Sequence, residues 1–331
     1  MIRMSDMSIV RLVKGATVSA LLLLFSATTS AADRVRAAYA ALNGGQAPLW
    51  VAQDRGIYAK HGLQVELIYL SGGSTNVQAL LGNSIQFAAG GPASVEGRAR
   101  GLRLVIIANP QPVAVTNLVT APHVSNLAEL RTIVGGVSRF GASQHQGLLY
   151  LVRKNGGNPK DLKVLQLGGD PNRLAALKIG TVQYTFLGAS ATEQAKSLGF
   201  KVLATAKQLG IPFPWTSVVV HEAWLDRNRD LAYRYVKSLT EAVWFMKRYR
   251  GESERIIAKY LKLPPILAAA EYDFNIDTFP ELPYPTIEGV SLILENLSPD
   301  NPDAARLNAR DFVDSSIVDQ IKREAFVNSL R

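Results

Sequence analysis

The segment Val137-Ser138-Arg139-Phe140-Gly141-Ala142-Ser143-Gln144 gathers a guanidinium, two hydroxyls, an amide and an aromatic ring between a short apolar run and a helical pattern. Ser143 followed by Gln146 has the spacing of a capping box, which places this polar turn at a helix N-terminus. Free N–H groups and the helix dipole there favour a polar or negatively charged group. Arg139 adds a full positive charge, and its planar fork suits carboxylate, nitrate or sulfonate oxygens. Similar turns recur along the chain. Asn43 and Gln46 lie in one, Ser74 and Thr75 in a second, Gly91 and Ser94 in a third, and Ser190 in a fourth. Thr75 with Gln78 and Ser190 with Glu193 repeat the capping spacing, and Asp170 is read as the cap of a helix that Pro171 begins. Trp50, Phe140 and Trp215 could stack on an aromatic or heterocyclic ligand. The four histidines show no metal-ligand spacing, and the chain has no cysteine, so no metal site, cofactor or catalytic group is expected.

The elements that carry these turns alternate. Strand patterns at Arg34–Tyr39, Leu63–Leu70, Ile85–Ala89, Leu104–Ala108, Thr132–Gly136, Val164–Leu167 and Val182–Leu187 are separated by polar turns and helical stretches. Such alternation predicts an α/β fold with a mixed, mostly parallel sheet in each of two lobes, ligands binding beyond the carboxyl ends of the strands. A chain of 331 residues is longer than one compact core usually holds, which also argues for two lobes. An internal echo supports this. Ala79-Leu80-Leu81-Gly82-Asn83-Ser84-Ile85-Gln86-Phe87 matches Ala176-Leu177-Lys178-Ile179-Gly180-Thr181-Val182-Gln183-Tyr184 in its glycine stop and in the Gln before an aromatic. From Ala223 onward the chain reads as mainly helical, with Ala232, Tyr235, Val236, Leu239, Ala242, Val243 and Met246 on one core-facing stripe.

Arg3, Arg11 and Lys14 precede the apolar run Ala16–Ala27 and the small residues Ser30-Ala31-Ala32, the layout of a signal peptide over 1–32 cleaved after Ala32. The run is shorter than the roughly 20 residues a spanning helix needs. The formal charge of +9 is dispersed, and with export it gives no reason to expect nucleic acid as a partner.

Pro48-Leu49-Trp50-Val51-Ala52-Gln53-Asp54-Arg55-Gly56-Ile57-Tyr58 and His61-Gly62-Leu63-Gln64-Val65-Glu66 resemble the opening of periplasmic substrate-binding proteins of the nitrate/sulfonate/taurine ABC importers, a family that includes pyrimidine-precursor binders. Gly136–Gly141, Leu177–Val182, Pro283–Gly289 and Asp311–Asp314 continue the likeness. It implies a type II, Venus-flytrap binding protein, with a discontinuous first lobe (33–116 and 216–331) and a second lobe (117–215), crossings falling near Val113–Pro122 and Pro212–Val220. It further implies a periplasmic monomer that captures a small, anionic organic solute and hands it to a permease with its ATPase. Asn126–Arg131 replaces a common acidic entry to the second lobe, and Gln86 and Gln183 stand where many relatives carry Asp; these departures bear on the ligand. A ligand-sensing receptor is the alternative. A serine hydrolase is disfavoured because Gly136-Val137-Ser138-Arg139-Phe140-Gly141 is one residue too long for its elbow. A related pyrimidine synthase would need a cysteine motif the chain does not have.

Overall fold

The computed structural model describes residues 32–205, 208, 211–299 and 301–330. The expected leader, apart from Ala32, lies outside the described residues. No helix among them is long and apolar enough to cross a membrane.

Among the described residues ten strands form two five-stranded sheets of the same plan. The first uses β1 (Asp33–Tyr39), β2 (Leu63–Tyr69), β3 (Phe87–Ala88), β4 (Leu104–Val113) and β10 (Pro212–His221), in the order β2-β1-β3-β10-β4. The second uses β5 (Asn117–Thr120), β6 (Val134–Val137), β7 (Lys163–Gln166), β8 (Tyr184–Leu187) and β9 (Lys201–Ala204), in the order β7-β6-β8-β5-β9. In each sheet, three parallel strands are followed by an antiparallel one inserted from a distant part of the chain: β10 in the first and β5 in the second. The chain leaves the first sheet after Val113 and enters the second at Asn117; β9 ends at Ala204, and Pro212 pairs with Val113 back in the first sheet.

The internal echo has a structural counterpart. The Gln86 amide oxygen accepts from Arg36 N at 2.8 Å in the first sheet, and the Gln183 amide oxygen accepts from Val134 N at 2.9 Å in the second. Their backbone N–H groups donate to Arg36 O and Val134 O. Each glutamine therefore extends a short strand by pairing with its neighbour through the side chain, a role that an anionic Asp of shorter reach would fill differently.

The predicted stripe on the helix Arg229–Arg248 is buried as expected, and Tyr235 stacks on Phe87 with ring centroids 3.9 Å apart. One apolar cluster packs on the first sheet, a smaller one on the second, and a third contains residues of both, among them Ile106, Leu118, Val137, Leu148 and Val219. The Arg153 guanidinium donates to Asn296 O and Oδ1, so the helix Ser143–Lys154 is tied to the helix Ile287–Leu297.

The expected side-chain caps do not form. The residue before each helix takes the cap position instead: Gly72, Ala142, Gly169 and Gly188 precede helices that begin at Gly73, Ser143, Asp170 and Ala189. Ala142, Gly169 and Gly188 supply the extended backbone that a cap requires. Thr75, Ser143, Asp170 and Ser190 therefore sit inside the first turn, with side chains free to bond elsewhere. Asn126 does cap its short helix, accepting from Ala128 and Glu129 N.

Candidate functional site

A cleft of about 50 Å³ lies where turns from both sheets meet. Ala40, Ala41, Asn43, Gln46, Gly72 and Gly73 line it from the first sheet's turns, Ser138, Ala142, Ser143, Gln144, Gly169, Asp170 and Arg173 from the second's, and Trp215 and Thr216 from β10. Their convergence follows from the fold, since every one of these turns leaves the carboxyl end of a strand. Three helix N-termini, at Gly73, Ser143 and Asp170, open onto it.

Five of the candidate ligand contacts, Asn43, Gln46, Ser143, Gln144 and Trp215, share this cleft. Asn43 caps the turn Gly44–Gln46, accepting from Gly45 N at 3.1 Å. Gln46 and Gln144 are 5% and 8% exposed, and their amide oxygens are buried without a partner. Ser143 Oγ donates to Trp215 O at 3.4 Å, joining the wall from the second sheet to β10.

The others lie elsewhere. Trp50 is fully buried in the first sheet's core, stacked on Tyr260 with centroids 5.2 Å apart, so it packs and has no open face for a ligand. Gly91 is pressed against β10: a Cβ there would fall 2.2 Å from Ser217 Oγ. Ser94 Oγ donates to Gly91 O at 2.7 Å within its own helix. Thr75 is half-buried in the third position of its helix, outside the cleft lining. Arg139 is also outside that lining. Its stem lies over Gly72, where a Cβ would come within 2.6 Å of Arg139 Cγ; Gly72 has a φ of +83°, which glycine alone adopts at little cost. Phe140 is 48% exposed and edge-on to His145.

Several of these residues instead hold the two sheets together. Ser74 Oγ donates to Phe140 O at 2.5 Å. Ser190 N and Oγ both donate to Glu271 Oε1, at 2.7 and 2.5 Å, while Gly44 N donates to Glu271 Oε2 at 2.8 Å. Glu271, from the helix Pro265–Asn275, is 1% exposed; burial pushes its carboxyl up, and the Ser190 and Gly44 donors pull it back. A Cβ on Gly44 would lie 2.7 Å from Asn275 Nδ2 and Glu271 O, so only glycine brings that N–H so close.

Sequence reasoning passed over Glu271, Arg173 and Thr216, and weighed Ser138 only as part of its turn. Ser138 and Thr216 adjoin residues it did weigh. Arg173 has a local signal in the i,i+3 spacing to Asp170, which the reading of Asp170 as a cap set aside; Glu271 carries none, because its partners Ser190 and Gly44 come from turns 81 and 227 residues away. Arg173 donates Nε to Phe186 O, Nη1 to Gly168 O and Nη2 to Asp170 Oδ1, and Asp170 Oδ2 accepts from Gly188 N at 2.7 Å. Asp170 thus neutralises Arg173 and closes the turn before β8's following helix; its expected role as a cap is replaced by these contacts.

His145 stands beside the cleft turn with Nδ1 accepting from Gly141 N at 3.1 Å, and burial lowers its pKa to about 4. A histidine that stays neutral in the fold but protonates near its ordinary 6.5 when unfolded lets the unfolded chain bind more protons below that pH. Stability is therefore lost as pH falls from about 6.5 towards 4, by up to about 3 kcal/mol. Denaturant unfolding at pH 7 and 4.5 should show that loss in the parent chain and a reduced one in His145→Gln; equal losses would contradict it.

Solved structures of the periplasmic-binding-protein type share this architecture. A protein from Bordetella bronchiseptica RB50 superposes with a TM-score of 0.78 at 18% identity, over 88% of this chain and 98% of its own. The alkanesulfonate-binding protein SsuA from Xanthomonas axonopodis pv. citri, bound to MOPS, gives a TM-score of 0.72 at 16% identity, over 85% of this chain and 98% of its own. Residues 32–262 match the model of the NMT1-like family, and the chain belongs to that family. A putative binding protein, YtlA of Bacillus subtilis strain 168, is 24% identical over 232 residues, a match that spans 62% of this chain and 64% of that protein's length.

Proposed function

We propose that this chain is the extracytoplasmic solute-binding component of an ABC importer. The observation that carries the reading is the cleft itself: turns from two separate sheets enclose a small polar space lined by two buried glutamines whose amide oxygens have no protein partner. Buried polar groups are nearly always bonded, so such a pair marks a place where a ligand completes the structure. The binding-protein relative and the alkanesulfonate-binding neighbour, bound to MOPS, support capture of a small organic solute. Lobes 33–116 with 216–331 and 117–215 would close over it by a hinge motion, driven by tighter binding in the closed form. In this reading the leader is removed after Ala32, and the monomer works in the periplasm, delivering solute to a permease with its ATPase and catalysing nothing itself.

The test is a thermal-shift panel of nitrate, alkyl and aryl sulfonates, aromatic carboxylates and pyrimidines. A ligand at a hundredfold its Kd should stabilise the chain by about 2.7 kcal/mol. Ser143→Trp, which fills the cleft, should abolish the shift, whereas Arg139→Ala should leave it, because Arg139 does not line the cleft. A shift that survives Ser143→Trp would place binding elsewhere and contradict the proposal.

A further inference from the structure

We infer that the solute presents an amide or urea edge, with hydrogen-bond donors beside acceptors, and is not a bare oxyanion. This rests on the solute-binding reading and narrows it. Gln46 and Gln144 line one cleft, are more than nine-tenths buried, and bring amides whose oxygens no protein group meets. Each amide has two donor hydrogens and one acceptor oxygen, whichever way it is turned. An oxyanion only accepts, so it could answer the N–H groups while leaving two buried carbonyl oxygens unmet. A carboxamide, lactam or urea offers both halves and pairs with an amide in the manner of two peptide groups.

Charge points the same way. Arg173 lines the cleft but spends Nε on Phe186 O, Nη1 on Gly168 O and Nη2 on Asp170, whose carboxylate cancels its charge. Among the residues lining the cleft no other cation is present. The backbone donors at the start of the helix Ala189–Ser197 are already taken by the protein's own acids: Gly188 N by Asp170, and Ser190 N by Glu271. Of the three helix starts on the cleft, the one at Asp170 carries that residue's own carboxylate; those at Gly73 and Ser143 are left to face the ligand's carbonyl oxygen, which a helix dipole favours without requiring a full negative charge. Trp215 and Ala40, Ala41 and Ala142 supply apolar walls on which a small planar group can lie.

Isothermal titration of the purified chain with acetamide, 2-pyrrolidinone, hydantoin and nicotinamide, set against nitrate, methanesulfonate and benzoate, decides the matter. At least one amide or urea probe should bind a hundredfold or more tighter than any of the three anions. Gln46→Met and Gln144→Met, which keep the shape and remove both donor and acceptor, should each weaken that probe at least tenfold. Gln46→Glu and Gln144→Glu keep an acceptor and should weaken it less. Circular dichroism would confirm that the variants fold. Tighter binding of an anion, with the amides silent, would overturn the amide edge and leave the solute-binding reading standing. Silence from both groups, with no shift from a low-molecular-mass metabolite extract, would count against both. Affinity for an amide probe unchanged in both Met variants would overturn the pairing with Gln46 and Gln144.

Discussion

Arg173→Ala should destabilise the chain by about 3–5 kcal/mol, the usual cost of removing one partner from a buried ion pair. Arg173 is 1% exposed, and its loss strands the Asp170 carboxylate as well as the carbonyls of Phe186 and Gly168. Part of the Asp170 charge would still be met by Gly188 N, which keeps the effect within that range. Arg173→Lys retains the charge but cannot reach three acceptors at fixed angles, so it should recover no more than about half. Denaturant unfolding of the three proteins measures this. A loss below about 1 kcal/mol for Arg173→Ala would show that the turn around Asp170 relaxes and that the pair does not organise it.

The second large effect concerns Glu271. In Glu271→Ala, Gly44 N, Ser190 N and Ser190 Oγ would lose their acceptor at once; each unmet buried donor costs about 1–3 kcal/mol, partly offset because a carboxylate no longer has to be buried. A net loss of about 2–4 kcal/mol is expected. Glu271→Gln keeps one good acceptor and should lose about half as much. The pH dependence separates the two contributions. Because burial raises the carboxyl's pKa in the fold above its ordinary 4.5, the folded form holds its proton more tightly than the unfolded form. The associated stability is fully present below 4.5 and declines as pH rises through the raised value, the opposite sense to His145. Glu271→Gln should flatten that decline. An unchanged slope in the variant would mean that the three donors hold the carboxylate ionised throughout.

Much of the architecture was legible because the signals are local. Strand periodicity and glycine stops recur from unit to unit, a proline opens the helices that contain Pro48, Pro92 and Pro171, and the repeated Gln before an aromatic marks equivalent places in the two sheets: Gln86 and Gln183 make the same pair of contacts. The cleft turns were legible too, since the carboxyl ends of strands in such a fold face one another. What misled was the cap reading at Thr75, Ser143, Asp170 and Ser190. The spacing of a capping box does not say which residue will take the cap position, and a preceding glycine or alanine took it each time. Trp50 misled for a related reason: a large aromatic after a polar turn looks equally suited to a site or a core, and only the stacked Tyr260, from a helix two hundred residues later in sequence, decides for the core. Glu271 could not be found at all. Its partner Ser190 is 81 residues away and Gly44 is 227 away, and nothing in the residues around it announces a carboxylate that will bridge the two sheets' turns.

Closure of two lobes over a bound solute is the central claim, and the chain offers a clean way to see it, because it contains no cysteine. Ile179 and Ile266 are 76% and 79% exposed, one after the helix that begins at Asp170 and the other on the helix that carries Glu271. With both changed to cysteine and spin-labelled, pulsed electron resonance reads the distance between them. With the solute that gives the thermal shift, the distribution should collapse to a single distance; without it, it should broaden to include a second, open population. The same distribution with and without bound solute would contradict closure as the means of capture.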